Sequence, residues 1–177
     1  MKKILFSLAC VIFLATTSNA ATPNEKVLKA FKETFATAKE VTWHEYDNVY
    51  QANFKQDEVQ IRAQYDEEGR LLKTIRYYGE TQLMPNIVFK LRKKYAGKEI
   101  FGVTETSSEQ EVSFVINLKD ENNWYIVKSD MFGNLEQTDK FKRADKYIYH
   151  SSNNGSDIVA MNTELYRRFM AIFLELL

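Results

Sequence analysis

The chain is poor in the residues that do covalent and metal chemistry. It has one cysteine, Cys10, and two histidines, His44 and His150, in 177 residues. No Cys-His nucleophile pair can be assembled after the first twenty residues, and no His-x-x-x-His or equivalent spacing offers a zinc site. Disulfide stapling is excluded with it. The six glycines are isolated, so there is no glycine-rich phosphate loop. "DEEG" at 66–69 and "DENN" at 120–123 are acidic but do not match a calcium-binding EF-hand loop. Basic residues never form the block that tracks a phosphate backbone, which argues against nucleic acid. Long apolar runs are missing beyond the N-terminus. These absences leave no acid-base, nucleophile or cofactor constellation, and the expectation is a protein that is not an enzyme and needs no cofactor.

What is present begins with a leader. Lys2 and Lys3 precede an apolar run from Ile4 to Ala15, and Ser18-Asn19-Ala20 supplies a small-x-small site. That is the layout of a secretory signal peptide over residues 1–20, with cleavage expected after Ala20. The run is shorter than the ~20 residues of a permanent span. Cys10 is poorly placed for lipidation, because most of the apolar run follows it. The processed chain keeps 22 Lys and Arg against 24 Asp and Glu. A periplasmic or secreted protein of about 155 residues follows, enough for one core of ordinary size.

Two decapeptides share a skeleton. "YDEEGRLLKT" (65–74) and "SDMFGNLEQT" (129–138) both read Asp-x-x-Gly-x-Leu-x-x-Thr. The likeness extends outward. Val27, Phe31 and Phe35 match Ile87, Leu91 and Tyr95 at an offset of 60, one helical stripe each. Val41 and Trp43 match Phe101 and Val103, and Ala52 and Phe54 match Val112 and Phe114. Past "KQDE" and "KDENN" the offset becomes 64, which places four added residues in that loop. The halves read as an internal duplication of residues 21–80 and 81–143.

Each half predicts a helix followed by four strands of period-two alternation. Thr22-Pro23-Asn24-Glu25 reads as a capping box with Thr22 as N-cap, and helix one is expected to reach Ala38. Pro85 opens the second helix in the same manner, so both prolines are expected at equivalent places. The Asp-x-x-Gly motif predicts a hairpin between third and fourth strands, with glycine at positive φ. The fold class is therefore α+β: tandem α-β-β-β-β units forming an antiparallel sheet with helices on one face. The inward set is Val41, Trp43, Tyr50, Ala52, Phe54, Ile61, Ala63 and Tyr65, then Phe101, Val103, Val112, Phe114, Tyr125 and Val127.

The other sheet face would be open to solvent, a partner or the chain's own tail. In the first half it carries His44, Tyr46, Gln51, Asn53, Arg62 and Gln64. In the second half Val115, Trp124 and Ile126 are apolar where the first half is polar. The partner surface drawn from these is His44, Tyr46, Arg62, Val115, Trp124 and Ile126, with His44 otherwise an ordinary solvated side chain. After a polar linker at 144–157, residues 158–177 read as an apolar C-terminal helix. Docking on this sheet, self-association or partner contact, and a membrane surface all remain open for it. Its longest apolar run is too short to span a bilayer.

The segments "VLKAFKETFATAKEVTW", "YQANF", "YDEEGRLLKT" and "MPNIVFKLRKKYAGKEI" together resemble the PepSY-like domains grouped with the β-lactamase-inhibitor-like fold. The resemblance covers residues 26 to 141. It implies the tandem fold, export from the cytoplasm, and a binding or inhibitory role rather than catalysis; the partner expected for the open face is a periplasmic or envelope protein or peptide. It transfers no catalytic residue and does not imply that a β-lactamase is the target. A small-molecule carrier with a cavity between sheet and helices is the alternative, marked by an apolar pocket at Trp43, Phe54 or Phe114.

Overall fold

The computed structural model describes residues 22–143. The leader at 1–20, the linker at 144–157 and the helix expected at 158–177 lie outside the described residues. Helix α1 (Glu25–Thr34) is followed by β1 (Lys39–Tyr46), β2 (Val49–Gln56), β3 (Val59–Tyr65) and β4 (Leu71–Tyr78). A 3-10 turn at Glu80–Gln82 leads to α2 (Pro85–Lys94), then β5 (Glu99–Ser108), β6 (Val112–Lys119), β7 (Asn123–Asp130) and β8 (Leu135–Lys142). All eight strands form one antiparallel sheet in sequence order. Strands β4 and β5 pair directly, so the two halves share one platform. Both helices press their apolar stripes, Val27 and Phe31 of α1 and Ile87 and Leu91 of α2, into a single core on one face of it.

The paired decapeptides form the β3–β4 and β7–β8 hairpins. Gly69 N donates to Asp66 O and Gly133 N to Asp130 O, at 3.0 and 3.1 Å. Asp66 Oδ1 accepts from Glu68 N and Arg70 N, and Asp130 Oδ1 from Phe132 N and Asn134 N. Both glycines sit at positive φ, +81° and +76°, where a side chain is strained. Each hairpin also grips the helix of its own half. Asn24 Nδ2 donates to Glu67 O (2.9 Å), while Asn86 Nδ2 donates to Met131 O (3.0 Å). The motif recurs because it ties the last two strands of each half to that half's helix.

Strand register corrects several details of the sequence reading. The N-cap of α1 is Asn24, not Thr22: its Oδ1 accepts from Val27 N at 3.0 Å. Pro85 is the first residue of α2, whereas Pro23 precedes the cap, so the prolines are not equivalent. Helix α1 stops at Thr34 rather than Ala38 because Phe35 leaves helical geometry (φ −124°, ψ 56°). Val41 and Phe101 do not point inward. A bulge between Lys39 and Thr42, and another between Ile100 and Gly102, each insert residues that flip strand parity. Val41 is 36% exposed and Phe101 53%, and Ile100 takes the inward place.

The four added residues lie elsewhere too. Trp43 pairs with Ala52, and its match Val103 pairs with Ile116. The Tyr46–Val49 pair encloses two residues, but the Thr106–Ser113 pair encloses six. The insertion therefore extends the β5–β6 hairpin, and the β2–β3 and β6–β7 turns are alike in length. Ala52 and Phe54 correspond to Ile116 and Leu118, not to Val112 and Phe114. Phe114 is instead the counterpart of Tyr50.

Under α1 the layer between helix and sheet is filled by rings. Phe31 meets Trp43 and Phe54 edge-on, both at 5.1 Å between centroids, and Phe35 lies 4.7 Å from Phe54. Tyr65 is fully enclosed there, and burial pushes its phenol up to about 12. Thr34 lies beside it and donates its own hydroxyl to Ala30 O, and the Tyr65 hydroxyl is buried with no hydrogen-bond partner. At the seam between the halves, Arg76 Nη1 donates to both oxygens of Glu105, and Tyr78 donates to the same carboxylate. That trio lets polar side chains sit on the helix-side face between the two helices.

Candidate functional site

The helix-free face is built by the strand register. His44 pairs with Gln51, which pairs with Gln64; Asn53 pairs with Arg62, which pairs with Ile75. Across the junction Tyr77 opposes Thr104, Thr104 opposes Val115, and Val115 opposes Lys128. Asn117 opposes Ile126, and Lys119 opposes Trp124. All six residues of the expected partner surface therefore share one face, but in two clusters. His44, Tyr46 and Arg62 lie on β1 and β3; Val115, Trp124 and Ile126 lie on β6 and β7. Strands β4 and β5 separate them.

The first cluster is polar. His44 and Tyr46 stack at 6.5 Å, and Arg62 lies 5.6 Å over the Tyr77 ring. Gln64 Nε2 donates to Gln51 Oε1, and Gln51 Nε2 donates to Asn53 Oδ1, at 3.0 and 2.9 Å. This ladder satisfies a glutamine that is almost wholly enclosed. Burial raises the Tyr46 phenol, opposed by the nearby Arg62 charge.

The second cluster is apolar with cationic flanks. Phe101 stands edge-on against Trp124 at 4.9 Å. Lys119 Nζ lies 4.5 Å over the Phe101 ring and also pairs with Glu99 at 3.1 Å. The Arg143 guanidinium is 5.7 Å over Trp124. Ile126 is 3% exposed, Val115 8%, and Ile75 of the neighbouring β4 only 1%. A cleft of about 620 Å³ adjoins Val115, lined by Glu111, Ser113, Lys128, Asp130 and Glu136.

Members of this face that sequence reasoning missed include Phe101, Ile75, Tyr77, Asn117, Lys119 and Phe141. Phe101 was hidden by the bulge. Ile75 and Tyr77 were hidden because Arg76 and Tyr78, which look like surface residues, point to the helix side. The signal for both was the polar seam residue Glu105, which needs Arg76 beside it.

At the foot of the second cluster Asp120 organises the β6–β7 turn. Its Oδ2 accepts from Tyr125 Oη (2.7 Å) and pairs with Lys98 (3.2 Å), and its Oδ1 accepts from the Asn122 and Asn123 amides. These bonds, the Tyr125 hydroxyl first, hold the carboxyl well below the usual carboxylate range. Arg143 Nη1 donates to Asp120 O at 3.1 Å, which fixes the end of the described chain beside Trp124. Among the described residues no group of three or more His, Cys, Asp or Glu is placed to hold a metal ion, and no helix is long and apolar enough to cross a membrane.

No protein-family model matches the sequence, and no curated protein does. Solved structures resemble the fold. A DUF2874 family protein from Bacteroides ovatus matches with a TM-score of 0.53 at 20% identity, over 69% of this chain and 89% of that one. A protein from Bacteroides eggerthii, named provisionally as periplasmic, matches with a TM-score of 0.52 at 12% identity, over 69% and 90%. A BLIP-like protein from Bacteroides fragilis matches with a TM-score of 0.54 at 16% identity, over 78% of this chain and 93% of its own. At these identities the likeness is one of fold: this chain has an α+β architecture compatible with the BLIP-like fold.

Proposed function

We propose that the protein is an exported, non-catalytic binding or inhibitory protein that presents the helix-free face of its sheet to a protein or peptide partner in the periplasm or envelope. The observation that carries this is the Phe101–Trp124 pair. A phenylalanine more than half exposed, held edge-on against a tryptophan and flanked by Lys119 and Arg143, has the chemistry of an interface anchor. The leader read over residues 1–20 and the similarity to a BLIP-like protein and a provisionally periplasmic one support the location and the class. We also infer that the two α-β-β-β-β halves, similar to PepSY-like units, arose from one ancestral unit; the shared Asp-x-x-Gly hairpins and the bulges at Val41 and Phe101 support it.

The test is affinity capture from envelope extract with the tagged mature protein, beside Trp124→Ala, Phe101→Ala and a control, Phe89→Ala, on the exposed side of α2. A species retained by wild type and by the control but lost with both face variants supports the reading. A retained set identical in all four overturns it.

A further inference from the structure

We propose that the helix-free face has a resident occupant, the C-terminal segment 158–177 of the same chain. The argument starts from burial. Neighbours within one pleated layer shield the flanks of a side chain but not its tip. Ile126 and Val115 are nevertheless almost fully enclosed, with Asn117, Lys128 and Ser113 around them and no described element above them. Arg62 and Tyr77 help to screen Ile75, but nothing comparable stands beside Val115. Both described helices are on the other face. The cover belongs to this chain, and residues 158–177 are its longest apolar stretch beyond the described part once the leader is removed.

Reach and pattern agree. The described chain ends at Arg143, against Trp124 on this same face. Fourteen linker residues, 144–157, extend up to about 46–50 Å, more than the ~34 Å width of eight strands. A helix of twenty residues is ~30 Å long, so it can lie across most of the sheet. Ile158, Met161, Leu165, Phe169, Ile172 and Leu176 recur at three- and four-residue steps, one continuous apolar stripe. Such a stripe fits a face whose second half is apolar at Val115, Ile126 and Trp124. The occupant rests on the burial of Val115 and Ile126 rather than on the partner reading, but it shares Trp124 with the surface proposed above, so a partner would meet the exposed Phe101 ring at its edge or displace it.

Full-length mature protein tests this by photo-cross-linking, with p-benzoylphenylalanine at the position of Val115 and, separately, of Phe89 as control. An intramolecular cross-link from position 115 into residues 158–177, absent from position 89, is expected. A cross-link joining two chains would assign the face to a second copy and overturn the proposal, as would no cross-link to the segment. A second measurement guards against local misfolding. With Trp43→Phe leaving Trp124 as the sole tryptophan, Phe169→Glu with Phe173→Glu should red-shift its emission and raise its quenching by acrylamide. Unchanged emission and quenching would also overturn the proposal.

Discussion

The two halves reach the same architecture with different stock. Under α1 the core is made of rings, Phe31, Trp43, Phe54 and Tyr65, fitted around the small residues Ala52 and Ala63. Under α2 the corresponding places hold Leu91, Val103, Leu118 and Ser129, and the small positions have grown to Ile116 and Val127. Large and small have been exchanged at neighbouring sites, which changes the shape of the layer and makes up part of the volume lost with the rings. The open faces differ in polarity instead. Gln51, Gln60 and Arg62 stand where the second half has Val115, Trp124 and Ile126. The lesson is that two halves of like topology can fill their buried side with different residues as long as it stays packed, while their open sides differ in polarity.

The sharpest way to break the comparison is to exchange open-face residues. Ile126→Arg imports its first-half counterpart into an enclosed site and should cost about 3 kcal/mol or more. Arg62→Ile, the reverse exchange on the polar side, should cost about 1 kcal/mol or less. Urea denaturation measures both, and equal losses would remove the distinction between the faces. The hairpin glycines come next. A Cβ at Gly69 would meet Lys26 O, a backbone atom, at 2.9 Å, while at Gly133 it meets the flexible Lys90 side chain. Gly69→Ala should cost about 2–4 kcal/mol and Gly133→Ala about 1–2 kcal/mol. Core exchange ranks third. Ala52→Ile alone should overpack the ring layer by about 1–3 kcal/mol. Adding Phe54→Leu should recover part of that, giving a double variant more stable than the sum of the singles.

The smallest effect is on pH dependence. Asp66 and Asp130 are held below the ordinary carboxylate range, first by the amides of Arg70 and Asn134 respectively, and Asp120 is held lower still. A lowered folded-state value means that the stability each contributes is complete above about 3.9, the unfolded value, and is lost as pH falls through the folded value. Asp66 and Asp130 act in both halves, but Asp120 replaces Gln56 of the first. Asp120→Gln should therefore flatten the acid limb of a stability–pH profile, read as the urea midpoint between neutral pH and pH 2, without a change in its position at other carboxylates.

What was legible in the sequence was local. Asp66 and Asp130 bond to amides two and four residues away, so the hairpins could be read from ten residues. The alternation through Gln60–Tyr65 and Trp124–Ser129 gave strand faces, and with them Arg62, Trp124 and Ile126 in their right orientation. What was not legible depended on one residue more or less. A bulge leaves no compositional trace, so Phe101 looked like a core residue. The β5–β6 insertion and the "KDENN" turn were confused because an acidic turn stabilised by Asp120 looks longer than it is. The clustering of the face into a polar and an apolar part also required the pairing of β4 with β5, which no short-range signal encodes.

Bulges of this kind also bear on how the molecule avoids its own kind. A meander of eight strands that does not close leaves β1 and β8 each with one unpaired flank among the described residues. Those are the places where sheets of neighbouring molecules would zip together. The irregularity near Glu40 in β1 and the one at Thr138 in β8 interrupt both rims, and Lys39, Lys140 and Lys142 add charge there. A device that turns a side chain outward therefore also breaks the regular run of amides that fibril-like stacking requires.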